Sequence, residues 1–208
     1  MLDTEYQYFI NEFFALPSFC IGDKEYEPFV SPSNNRWGLS YPDIFWHICS
    51  ASKVRDCTDF SPIFPCCNTT FCRSCGGYEV DEYQKKTGRK LCPYRSNTIH
   101  CVVEILQSLS KGDYSGVRIA EPPYENGRYV LYIRKMVGPL DYFIVFKKLK
   151  PKEDDPNNRI PLMLITSFPL AYRQMITRLD GQLQKYATLI PEKGFSEPAP
   201  HSNLLHAI

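Results

Sequence analysis

Apolar residues follow a helical period in the first part of the chain and an alternating one in the second. Near the N-terminus, Phe9, Ile10, Phe13 and Phe14 recur at helical spacing, which predicts an amphipathic helix from Thr4 to about Leu16. Thr4 followed by Gln7 reads as its capping box, and Pro17 ends it. The stretch from Gly22 to Leu39 is rich in Pro, Ser and Asn and reads as loop, with a short extended piece at Glu27–Val30. Ser40 is the expected cap of a second short helix, with Pro42 in its first turn, running through Phe45-Trp46-His47-Ile48. From Ala51 to Lys90 no period is sustained. Ile99, Val102, Val103, Leu106 and Leu109 then mark one face of a third helix, which Lys111-Gly112 closes.

Beyond that helix the period shortens to that of strands. Tyr129–Arg134 is rich in β-formers, Val137 to Leu140 is a turn, and Tyr142–Lys148 alternates. A charged loop from Lys150 to Arg159, containing Asp155-Pro156-Asn157, leads to the strongly apolar strand Leu162–Phe168. No crossover helix separates these strands, so they should pair antiparallel, with Val117–Ile119 as a fourth. The expected fold is α+β: N-terminal helices followed by an antiparallel β-meander of three to four strands. Met175, Ile176, Leu179 and Leu183 suggest a last helix. One domain is expected over 1–190, with a Cys-rich insertion at 51–92 and a flexible tail at 191–208.

A chain of 208 residues suits one domain with a real core. With 43% hydrophobic and 23% charged residues, it has the composition of a folded protein rather than a disordered one. No apolar run approaches the ~20 residues of a membrane span, and Met1–Asn11 lacks a signal-peptide pattern. Together these predict a cytoplasmic protein without a membrane partner. The net charge of +1 is unevenly spread: residues 1–80 carry −5 and residues 81–208 carry +6. That asymmetry is compatible with an anionic partner for the C-terminal part.

Nine cysteines are many for a reducing compartment, where thiols or metal ligands are expected rather than disulfides. Cys72-Arg73-Ser74-Cys75-Gly76-Gly77 has the form of a zinc-knuckle turn, in which the glycines let the backbone fold beneath two thiolates. Cys57, Cys66, Cys67 and Cys92 are the sulfurs available to complete the site, and the set Cys66, Cys72, Cys75 and Cys92 is the candidate cluster. A structural zinc would order a long irregular segment, since metal binding contributes folding energy. Ordinary buried thiols are the alternative. No His lies in the segment, so a catalytic zinc is not expected.

Of the four histidines, His47 stands apart because it follows Phe45-Trp46 on a short helix. A buried structural role and a proton-transfer role are both open to it. Thr166 and Ser167 end the last apolar strand, either as a plain strand terminus or as donors at a cleft rim.

The order of elements resembles the barnase/EndoU/colicin/RelE-like ribonuclease superfamily, in particular its phage-associated and toxin branches. The resemblance rests on Phe45-Trp46-His47, on the helix led by Arg95, on the three strands, and on Thr166-Ser167-Phe168 at the end of the last. It departs from the family pattern at Thr98, where a second Arg would stand, and at His100-Cys101, where a Trp would. What the resemblance implies is a metal-independent endoribonuclease, a toxin-like RNA-cleaving domain with RNA as partner and a protein inhibitor or antitoxin as a second one. His47 would be the general acid or base and Arg95 the phosphate clamp. Thr166 and Ser167 would be hydrogen-bond donors, Arg134 and Lys147 supporting charge, and Tyr132 and Tyr142 base-stacking rings. The competing expectation is a non-enzymatic, zinc-stabilised module that binds protein or nucleic acid.

Overall fold

A computed structural model describes residues 2–31, 41–52, 85–121, 129–138 and 140–169. Helix α1 (Leu2–Glu12) begins before Thr4. Gln7 is not a capping residue, since its side-chain amide donates forward to Asn11 at 3.3 Å. A 3-10 turn (Phe13–Ala15) follows, and Leu16 is extended, as the residue before a proline prefers. Two strands then form a hairpin, β1 (Phe19–Ile21) and β2 (Lys24–Phe29). Sequence reading finds only part of β2 because the turn at Gly22, with φ of +62°, breaks the alternation.

Helix α2 (Asp43–Cys49) has Pro42 at its N-cap rather than in its first turn; Ser40 lies outside the described residues. A short antiparallel pair, β3 (Ser50–Ser52) and β4 (Arg89–Leu91), joins the two ends of the Cys-rich segment. The helix expected from Arg95 onward is two helices, α3 (Pro93–Asn97) and α4 (His100–Ser110). Thr98 sits in the break between them, its hydroxyl donating to the Arg95 carbonyl at 3.2 Å. Helix α4 ends in a Schellman motif: Gly112, at φ +75°, donates to Leu109, and Asp113 donates to Ser108.

The sheet corrects the expected architecture. The antiparallel meander is there as β5 (Val117–Ala120), β6 (Val130–Val137), β7 (Leu140–Lys148) and β8 (Ile160–Pro169). It is part of a larger mixed sheet of six strands, in the order β1-β2-β8-β7-β6-β5. The added contact is parallel, β2 against β8, so the N-terminal hairpin extends the meander past its last strand. A parallel neighbour so distant in sequence leaves no local hairpin signal, which is why the period alone stops at the meander.

One sheet face carries Leu131, Ile133, Ile144, Phe146, Leu162 and Leu164, all 3% exposed or less. Helix α4 adds Val102, Ile105, Leu106 and Leu109 to the same core. An aromatic cluster links α1 to α2: the Phe45 ring lies 5.2 Å from that of Tyr6, 5.4 Å from Phe9 and 5.3 Å from Tyr41. The residues expected to form the last helix and the tail lie outside the described residues. Among the described residues no helix is long and apolar enough to cross a membrane.

The Asp113 turn that follows α4 predicts an acid-side stability limb. Its carboxylate accepts from the Ser115 hydroxyl and amide and from the Ser108 hydroxyl, which hold its pKa well below the usual range, with Lys135 adding to the effect. A pKa lowered on folding contributes stability above the unfolded carboxyl value, and that contribution is lost as pH falls toward the folded one. Urea midpoints at neutral pH and near pH 3 should therefore differ less in Asp113→Asn than in the parent.

Candidate functional site

Backbone register decides which of the predicted residues meet. Arg134 on β6 pairs with Phe143 on β7 and with Arg118 on β5. Lys147 pairs with Met163 of β8, Val145 with Thr166 and Phe143 with Phe168. Because cross-strand partners share a face, Arg118, Arg134, Lys147 and Thr166 lie on the sheet face opposite the α4-packed core. Tyr132, Phe143 and Phe168 share it, with ring centroids 5.5 Å apart for Tyr132 and Phe143 and 5.7 Å for Phe143 and Phe168. Arg134 is almost fully buried, whereas Arg118, Tyr132, Lys147, Thr166 and Phe168 are half-buried.

A β-bulge separates Thr166 from Ser167 in role. Val145 pairs with Thr166 but Phe146 pairs with Leu164, so Ile165 is the extra residue. The extra residue shifts the phase: Leu162 and Leu164 are buried before it, Ser167 and Pro169 after it. Ser167 thus lies in the core with no exposure, and the buried Tyr142 hydroxyl approaches it at 3.4 Å. Burial pushes the Tyr142 phenol well up. Tyr142, at 1% exposure, has no ring face open to a base.

Arg95 is 5% exposed and acts at the end of α2. Its Nη1 donates to the Ser50 carbonyl at 2.8 Å, and its guanidinium carbon stands 5.0 Å from the centroid of the Phe168 ring. Arg89, which sequence reading passed over, acts at the same place. Its Nη2 donates to the Ser50 carbonyl at 2.6 Å and to the His47 carbonyl at 3.3 Å, and its Nε to the Ser50 hydroxyl at 2.9 Å. Two cations thus cap the negative end of α2. The half-buried His47 sits in the turn they hold, and Arg95 ties that turn to Phe168, two residues from Thr166. Helix α2 also packs against β8.

Of the candidate metal ligands, Cys66, Cys72 and Cys75 lie outside the described residues. Cys92 is buried at the N-cap of α3, its amide donating to the Cys49 carbonyl at 2.9 Å. Burial pushes the Cys49 thiol well up and holds the Cys101 thiol at about 12, so both behave as core thiols. Among the described residues no three His, Cys, Asp or Glu side chains are grouped to hold a metal.

No protein-family model, curated protein or solved structure matches this chain.

Proposed function

We propose that the protein is a metal-independent endoribonuclease that binds RNA on the sheet face opposite its α4-packed core. The observation that carries the reading is the single placement of Arg118, Lys147 and Thr166 with the half-buried Tyr132 and Phe168 rings, over the buried Arg134 and Phe143 and beside the α2 turn that holds His47. Cations with interleaved aromatic rings suit a phosphate backbone with unstacked bases. In the reaction the ribose 2′-oxygen attacks the adjacent phosphorus while the bond to the 5′-oxygen breaks, leaving a 2′,3′-cyclic phosphate and a 5′-hydroxyl. His47 takes the 2′-OH proton or supplies one to the leaving oxygen, and water serves as the partner in the other transfer. Thr166 donates to the phosphate, and Arg118 and Lys147 offset its charge, with the buried Arg134 adding to the field from beneath. Arg95 serves as a positioning residue, because its guanidinium is engaged by Ser50 and Phe168. A zinc held by the Cys-rich segment would be structural, and a neutralising protein would have to cover the same sheet face.

The burial of Ser167 and Arg95 favours one second reading, a nucleic-acid binder without turnover. Both readings use the same face, so RNA binding tests what they share. Lys147→Ala should weaken single-stranded RNA binding and lower the salt slope of log K by about one, measured by fluorescence anisotropy across a salt series. An unchanged slope would remove Lys147 from the interface. Cyclic-phosphate ends on the products, read by mass spectrometry, separate cleavage from binding alone.

A further inference from the structure

The last turn of an α-helix leaves its carbonyls without intrahelical amides, and in α2 that turn carries His47. Helix α2 is seven residues long, below the ~12–15 residues at which an isolated helix holds together. Its end is held from elsewhere in the chain. The His47 carbonyl accepts from Arg89 Nη2 at 3.3 Å and the Cys49 carbonyl from the Cys92 amide at 2.9 Å. The Ser50 carbonyl accepts from Arg89 Nη2 at 2.6 Å and from Arg95 Nη1 at 2.8 Å. All of these donors fall between Arg89 and Arg95, the stretch formed by β4 and α3.

Of these donors, Arg89 is the one that reaches His47 itself, 42 residues earlier in the chain. Its Nε also donates to the Ser50 hydroxyl at 2.9 Å. One planar guanidinium therefore spans the histidine carbonyl and both oxygens of Ser50, a fork that an ammonium cannot reproduce. The Arg89 backbone is fixed in turn. Gly88 bends the chain at φ +69°, the Arg89 amide donates to Thr87 Oγ1 at 3.2 Å, and Arg89 pairs with Ser52 across β3 and β4.

His47 is thereby pinned on two sides. Its neighbours Trp46 and Ile48 are buried in the core, and Arg89 holds its carbonyl, so the direction in which the imidazole leaves the backbone is set. Proton transfer requires hydrogen-bond reach, and a misplacement of about 1 Å can cost about 100-fold in rate.

We infer that Arg89 is a positioning residue for His47, holding the α2 turn so that the imidazole meets the RNA. The inference rests on the ribonuclease reading. Arg89 itself has no part in gripping the RNA, because its Nε and Nη2 are directed at Ser50 and His47.

The test compares the full chain with its Arg89→Gln, Arg89→Lys and Arg159→Ala variants. Arg159 is a second half-buried arginine, tying the β7–β8 loop to β2 through Glu27 at 3.4 Å, and controls for loss of a structural cation away from α2. Thermal melts establish that each protein is folded at the assay temperature. Cleavage of a fluorogenic RNA octamer gives kcat and KM, anisotropy gives RNA affinity, and proton–carbon correlation spectra give the ring signals of His47 and His100. Arg89→Gln is expected to lower kcat about 10- to 100-fold with KM and RNA affinity within about twofold of the parent. It should move the His47 ring signal and leave that of His100 in place. Arg89→Lys, which keeps the charge without the fork, should recover only part of kcat, and Arg159→Ala should keep the parent's. Parental kcat in folded Arg89→Gln overturns the inference and leaves the ribonuclease reading standing. A loss of affinity as large as the loss of kcat/KM also overturns it, by placing Arg89 in RNA binding. If Arg89→Gln does not fold, Arg89→Lys decides: lowered kcat at unchanged affinity supports the role and parental kcat overturns it. A folded parent that cleaves no RNA overturns the ribonuclease reading and the role of Arg89 with it.

Discussion

Truncating Arg95 to alanine is expected to lower stability by about 3 kcal/mol, with a fall in Tm of roughly 6–12 °C for a chain of this size. Two losses combine. A hydrogen bond from a charged donor to the buried Ser50 carbonyl contributes ~1.5–3 kcal/mol. The guanidinium over the Phe168 ring contributes ~0.5–2 kcal/mol at a buried site. Arg89 still donates to the same carbonyl, which keeps the cost below that of an orphaned buried acceptor. Arg95→Lys should recover little, because an ammonium cannot both meet the carbonyl and lie flat on the ring. Thermal melts of the three proteins check this. A shift under about 2 °C for Arg95→Ala would show that α2 is held against β8 without it.

Replacing His47 by alanine is expected to lower RNA cleavage by a factor of ~10²–10⁴, the usual contribution of a positioned proton-transfer group. RNA affinity should change little, since the cations of the sheet face are untouched. The helix should survive: Arg89 contacts the backbone carbonyl of His47 rather than its ring, and the core residues of α2 are Phe45, Trp46, Ile48 and Cys49. A variant that melts like the parent, binds RNA like the parent and fails to cleave would place His47 in the chemistry. One that binds poorly would place it in recognition instead.

The helices and the meander were legible because each leaves a local period: Phe9 and Phe13, the face from Ile99 to Leu109, and the alternation through β7. Stop signals were legible too, and Lys111-Gly112 closes α4 where the sequence indicates. What escaped was set by contacts distant in sequence. The β2–β8 pairing joins Tyr26 to Ile160 and leaves no short-range trace. The bulge at Ile165 inverts the phase of β8, so that of the adjacent hydroxyls Thr166 and Ser167 the second turns inward. Reading Arg95 as a clamp follows from the family resemblance; only the carbonyl geometry at the end of α2 reveals a cap. Arg118 could have been found by parity, because it alternates with Val117 and Ile119 on a strand next to that of Arg134.

The most direct test of the central claim is incubation of total RNA and tRNA with the purified protein in EDTA, with His47→Ala alongside. The account predicts fragments bearing 2′,3′-cyclic phosphates from the parent and intact RNA from the variant. Intact RNA with a folded parent would contradict ribonuclease activity and leave the sheet face as a binding surface alone.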